Sequence, residues 1–193
     1  MKLTSMTVSA LLAAFRSSEP TPGGGSASAL AGAAGASLIA MMAGLPKPKA
    51  ASAEDLGRLA DAGQRCAALA VRLEALIDED SAAYDLVVGA FRMPKGTDEE
   101  KAARASGIQR AMRAATEAPL QIMRRCAEAL EVVPVVAALG NPNAASDAKV
   151  GRMLLTAALS GARENVEINL GSVKDEAFAQ DVRREIESLI PDH

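Results

Sequence analysis

Pro20-Thr21-Pro22-Gly23-Gly24-Gly25-Ser26, with the uncharged run Ala27 to Leu45 behind it, is the stretch on which the fold turns. The two prolines hold the approach extended, because proline disfavours helix at the residue before it. The three glycines leave the backbone free to take left-handed angles or to approach another group closely. Ser26 stands where an N-cap is expected. A glycine-rich loop that opens a helix gathers backbone N–H groups at the positive end of the helix dipole, a place for a ligand. Three glycines also serve as a plain flexible turn, and both readings stand at this point.

Behind the turn, Ser28, Gly32, Ala36, Ala40 and Gly44 recur every four residues as a nearly bare stripe, along which another helix can approach closely. No charge occurs between Pro20 and Pro46, so the run approaches the length of a membrane span. It is mostly Ala, Gly and Ser, however, and poor in the Leu, Ile, Phe and Val that drive insertion. It reads as the central buried helix of a soluble bundle, with no membrane partner.

Composition agrees with helices. Of 193 residues 49% are apolar, yet there are only three Phe, one Tyr and no Trp. A core of Ala, Leu, Val and Met favours helix over sheet. A net charge of −3 gives no basic footprint for nucleic acid. Cys66 and Cys126 make neither a disulfide framework nor a zinc site, and the only His is His193, so no His-based triad is available. The opening residues faintly imitate a signal peptide, but Val8, Leu11, Leu12 and Phe15 form an amphipathic face that belongs to the fold. The expectation is a cytoplasmic protein whose residues 1–193 form one domain.

Farther on, Leu59, Gly63, Cys66, Ala70, Leu73, Ile77, Asp80, Tyr84, Val87 and Phe91 alternate spacings of four and three as one long helical seam. Thr97 with Asp98, Glu99 and Glu100 starts a second long helix. Its seam runs Ala105, Ile108, Met112, Ala115, Pro119, Ile122, Cys126, Ala129 and Val133, with a kink rather than an end expected at Pro119. Gly140 to Asp147 is a second polar turn, where Ser146 or Asp147 can cap the next helix. That helix carries Val150, Leu154, Ala157, Gly161, Asn165 and Ile168 along one side, and a last amphipathic helix covers about Asp175 to Leu189. The fold class predicted is all-α: a bundle of five to seven helices, two of them long.

Several polar residues are out of place in this pattern. Asp80 stands in an apolar seam between Ile77 and Tyr84. A buried carboxylate is costly unless paired or hydrogen-bonded, and it is also what a general base needs. Position alone leaves Asp80 either a base or a structural residue, paired with an Arg or Lys from another helix or pointing into a subunit contact. Asn165 and Asn169, four apart on a shared face, either serve a site or fix helix register.

At these places the chain resembles the cyclodeaminase/cyclohydrolase family of one-carbon folate metabolism. The matching stretches are PTPGGGSASALAGAAGASLIAMM (20–42), IDEDSAAYDLV (77–87), RMPKGTDEEKAARASGIQ (92–109), GNPNAASDAKV (140–150) and NVEIN (165–169). They come in the family's order and cover nearly the whole chain. One departure is Gly44-Leu45-Pro46-Lys47-Pro48-Lys49-Ala50, where family members carry an Asn-Leu-Thr segment and a run of lysines.

The resemblance implies an all-helical homodimer that holds a tetrahydrofolate derivative in a polar cleft. The reaction implied is hydrolysis of a methenyl bridge, or closure of a formimino group to that bridge with loss of ammonia, with no metal or organic cofactor required. Asp80 and Asp147 are then the catalytic candidates. Gly23, Gly24, Gly25, Ser26, Lys47, Asn141, Asn143, Asn165 and Asn169 are the candidate substrate contacts. The competing reading is a non-catalytic helical dimer or ligand-binding protein of the same fold.

Overall fold

The computed structural model describes residues 2–45 and 52–190. The candidate contact Lys47 lies outside the described residues. Six α-helices follow one another: α1 (Val8–Phe15), α2 (Gly24–Gly44), α3 (Ala53–Phe91), α4 (Asp98–Leu139), α5 (Ala145–Leu170) and α6 (Glu176–Leu189), with no strand among the described residues. Short 3-10 turns at Leu3–Ser5 and Pro142–Ala144 precede α1 and α5. The predicted bundle with two long rods is what forms.

Helices α2 to α5 make a ring in which each packs on its chain neighbour, α5 closes against α2, and α2 faces α4 across the middle. Local chemistry fixes where the long rods begin. The Ser52 hydroxyl accepts the Asp55 amide at the start of α3. At α4, Thr97 and Glu100 form a reciprocal capping box, each side chain taking a backbone N–H of the other. Helix α4 then runs on through Pro119 and Pro134 without ending.

The small residues of α2 are used for close approach. A β-carbon on Gly35 would fall 2.8 Å from the Gly151 carbonyl oxygen, and one on Gly151 would fall 3.0 Å from that of Gly35. At Gly161 a β-carbon would meet the Ser28 hydroxyl at 2.5 Å. Backbone therefore lies almost on backbone where α2 meets α5. Ser28, Gly32 and Ala36 of the stripe are buried, Ala40 is half-buried, and Gly44, at the helix end, is exposed. Helix α2 is long and apolar enough to cross a membrane, with mean hydropathy 1.5, but half of that window is buried inside the bundle.

Five expected positions are corrected. On α5 the core face is Ala148, Gly151, Leu155, Ala158, Ala162 and Val166, while Val150 and Ile168 are exposed, because α5 turns its smallest residues toward α2. Tyr84 and Phe91 leave the α3 core seam for solvent, and Ala105 of α4 is exposed likewise. The reason is a difference in length. Asp80 of α3 lies beside Gly25, in the first turn of α2, so α3 continues about 16 Å past that point at 1.5 Å per residue. Beyond it the bundle lacks its fourth helix.

Helix α6 lies along α4. Ala179, Val182 and Ile186 are buried, and Arg124 of α4 donates to both Glu185 oxygens, at 2.5 and 2.7 Å. Arg113 bonds Asp175 at 3.0 Å and covers the Phe178 ring.

Candidate functional site

Asp78, Glu79 and Asp80, consecutive in sequence and about 100° apart on a helix, go to three different partners. Asp78 accepts the Leu3 amide at 2.5 Å and the Thr4 hydroxyl at 2.7 Å, pinning the N-terminal 3-10 turn to α3. Glu79 is forked by the Arg72 guanidinium, whose charge and hydrogen bonds hold its carboxyl below the usual glutamate range. Asp80 turns to the first turn of α2.

That turn has no cap of its own. The N-cap is Gly23, with extended angles and no side chain to offer, and no glycine in the described chain has positive φ. Ser26 is not the N-cap expected from the sequence. It is the third residue of α2, fully buried, because its hydroxyl serves α3: Ser26 Oγ is 3.0 Å from both the Ile77 carbonyl oxygen and Asp80 Oδ2. The glycines are used for proximity rather than for left-handed angles. A β-carbon on Gly25 would stand 2.1 Å from Asp80 Oδ1, and one on Gly24 would stand 3.0 Å from Asn165 Nδ2. At Gly23 the nearest atom would be the Pro20 carbonyl at 3.8 Å, so that position is open.

Asp80 is half-buried, with Ser26 as its hydrogen-bond partner and no cation paired with it among the described residues. Burial pushes its carboxyl above the ordinary aspartate value, and the hydroxyl and amide of Ser26 pull it partly back. The structural alternative, an ion pair with Arg or Lys, does not occur among the described residues. A half-buried carboxylate without a counter-ion, at the positive end of a helix, can accept a proton or stand beside a cation.

Two amides complete this corner. Asn165 Nδ2 donates to the Gly161 carbonyl at 2.8 Å, and its side chain lies against Gly24. Asn169 Nδ2 donates to the Ala115 carbonyl of α4 at 2.7 Å, past the first residue of α2. The corner is made by Gly24, Gly25, Ser26, Asp80 and Asn165, with Asn169 one turn farther on. The signal in the sequence for the Asn169 bond is Pro119: it has no N–H to give the carbonyl four residues before it, and Asn169 supplies the donor that the Ala115 carbonyl lacks.

The polar turn at 140–147 is not part of it within one chain. Asn141 accepts the Asn143 amide at 2.9 Å and closes its own local turn. The N-cap of α5 is Ala144, with no side-chain cap, so neither Ser146 nor Asp147 caps as expected; Asp147 lies in the first helical turn. Eighteen residues of α5 separate Asp147 from Asn165, about 27 Å along the axis. Within one chain Asp147, Asn141 and Asn143 therefore sit at the opposite end of α2 from Asp80.

A groove of about 1110 Å³ runs between α4 and α5, lined by Leu130, Val133, Lys149, Arg152 and Leu159 among others. It contains none of the residues around Asp80, and its size is no argument for chemistry there. Among the described residues no three His, Cys, Asp or Glu cluster as metal ligands.

A family model described as Formiminotransferase-cyclodeaminase matches residues 7–188. Methenyltetrahydrofolate cyclohydrolase of Methylorubrum extorquens is 40% identical over 184 residues, covering 95% of this chain and 88% of that protein. Formimidoyltransferase-cyclodeaminase of Sus scrofa is 34% identical over 88% of this chain, which spans only 31% of that longer protein. The crystal structure of formiminotetrahydrofolate cyclodeaminase from Thermotoga maritima superposes with a TM-score of 0.82 over 97% of this chain and 90% of that one. At 24% identity that likeness is one of fold.

Proposed function

This chain belongs to the formiminotransferase-cyclodeaminase family, and from that premise we propose that it hydrolyses the methenyl bridge of 5,10-methenyltetrahydrofolate, with Asp80 as general base. The observation that carries the reading is the half-buried Asp80 carboxylate, held by Ser26 against the start of α2 with no counter-ion among the described residues. Hydrolysis is favoured over cyclodeamination because the relative named for it is 40% identical, whereas the porcine cyclodeaminase is 34% identical.

The bridge carbon is cationic and shared by two nitrogens. Asp80 takes one proton from water as the water oxygen bonds that carbon, giving a neutral tetrahedral carbon. The bond to one nitrogen then breaks, the remaining hydroxyl proton passes to that nitrogen, and the carbon becomes a formyl group on the other. The proton held by Asp80 returns to solvent, so one water is consumed and one proton released. Before the attack the carboxylate faces a cation, so the same group attracts substrate and moves the proton. The reading needs no metal or organic cofactor.

The working unit in this reading is a homodimer in the cytoplasm, each chain acting as one folate-binding domain. The outer face of α2 supports pairing: Ala27, Leu30, Ala31, Ala34, Ser37, Leu38 and Met41 are half-buried or exposed and none is charged. Two copies related by a two-fold axis near Ala34 would bring Asn143 and Asp147 of the partner subunit toward Asp80. Two buried free cysteines fit a reducing compartment.

The test is methenyltetrahydrofolate hydrolysis measured above the spontaneous rate, with Asp80→Asn in parallel. The parent is expected to hydrolyse and the variant to fall to background. A parent at background removes the proposal. Thermal stabilisation by the folate without turnover would favour a ligand-binding protein instead.

A further inference from the structure

The α3 seam has a local gap in its packing. Ile77 is 2% exposed and Val87, ten residues later, is 8% exposed, yet between them Asp80 is half-buried and Tyr84 is 41% exposed. Asp80 and Tyr84 are four apart and lie on one face of α3, about 6 Å apart along the axis. Asp80 meets Gly25, so Tyr84 is the next side chain on that face and lies past the start of α2. Beyond it Val87 is covered again, in a small cluster with Ala90, Ala111, Met112 and Ala115. The notch is thus bounded by Asp80 and Tyr84 on α3, the first turn of α2, and on α5 Asn165 and Asn169, the latter tied to Ala115.

From this placement we infer that the ring of Tyr84 is the wall on which the flat heterocycle of the substrate lies, with the one-carbon bridge over Asp80. The inference rests on the folate reading and adds the residue that selects for a planar cation. A phenol ring presents a negative face to a delocalised cation and an apolar surface to a fused ring system. One helical turn between ring and carboxylate suits a ligand whose reacting carbon sits at the edge of its fused rings. The Tyr84 hydroxyl has no partner among the described residues, so the ring is not committed elsewhere.

Tyr84 is the only Tyr and there is no Trp, so protein carrying 3-fluorotyrosine gives a single fluorine resonance. Adding 5-formyltetrahydrofolate should shift that resonance, with calorimetry measuring binding on the same sample. In steady-state hydrolysis, Tyr84→Leu should raise KM about tenfold while kcat stays within about threefold, and Tyr84→Phe should match the parent. Calorimetric binding with an unmoved resonance, or an unchanged KM in Tyr84→Leu, overturns the wall and leaves the cyclohydrolase reading standing. A kcat loss in Tyr84→Phe would assign the work to the hydroxyl and overturn it too. If the parent neither hydrolyses nor binds folate, both the folate reading and this inference fall.

Discussion

Asp80 occupies the space that a side chain on Gly25 would fill: a β-carbon there would fall 2.1 Å from Oδ1 and 2.5 Å from the carboxyl carbon. The absence of a side chain on α2 and the presence of a carboxylate on α3 are thus one feature. Ser26, the next residue, bonds the same carboxylate and the Ile77 carbonyl. The start of α2 and the middle of α3 are fastened at the point where the proposed chemistry occurs.

The glycines should therefore be graded in importance. Gly23→Ala should be tolerated, Gly24→Ala should disturb Asn165 mildly, and Gly25→Ala should displace Asp80, costing about 1–3 kcal/mol and most of the hydrolysis. In an Asp80→Ala background the Gly25→Ala cost should largely disappear, since the clash is gone. Equal effects at all three glycines, or no coupling in the double-mutant cycle, would mean that the turn merely connects.

Asp80→Asn keeps the size of the side chain and one carbonyl oxygen for the Ser26 hydroxyl, so helix content should be unchanged. Hydrolysis should fall about 10²–10⁴-fold, in kcat more than in KM. Retention of the parent rate would leave Asp80 with a purely structural role.

The same variant predicts a sign for stability against pH. Burial raises the Asp80 value from its ordinary 3.8, so above that pH the folded chain holds a proton that the unfolded chain has lost. Asp80 therefore makes stability fall as pH rises from 3.8, until its own raised value is passed. Denaturant melts should show Asp80→Asn gaining on the parent through that window and keeping the gain above it. A difference that does not change with pH contradicts the burial of this charge.

Close approach of α2 and α5 is testable apart from chemistry. Gly35→Ala would press a methyl against the Gly151 carbonyl at 2.8 Å, whereas Gly44→Ala has nothing within 4 Å. Both gain helix propensity, so a loss of about 1–3 kcal/mol in Gly35→Ala alone reports overpacking. Equal melting temperatures for the two would remove the stripe as a packing surface.

Asp147 separates a site role from a helix-end role. If it works beside Asp80 of the partner subunit, Asp80→Asn and Asp147→Asn should each be inactive alone. Mixed and allowed to exchange chains, they should recover about a quarter of parental activity, since half of the dimers carry one intact site. Normal turnover in Asp147→Asn with a stability loss of about 0.3–1 kcal/mol would instead make it a charge at the N-terminus of α5.

Sequence by itself determined the all-helical class, the long rods, the Thr97 start of α4 and the strangeness of Asp80. These rest on local causes: periodicity, capping chemistry, and a charge standing in an apolar line. What Ser26 and the glycines do was decided by tertiary structure. Spacing can say that a glycine permits close approach, but only the packing of α2 on α3 says that a carboxylate approaches Gly25. Tyr84 had the spacing of a core residue, and the early start of α3's overhang past α2 left it uncovered. Asp147 and Asp80 belonged together by resemblance, and the length of α5 sets them at opposite ends of one chain. Periodicity gives the face a residue occupies on its own helix; how far each helix runs past its neighbours, which decides what that face meets, is a property of the assembled bundle.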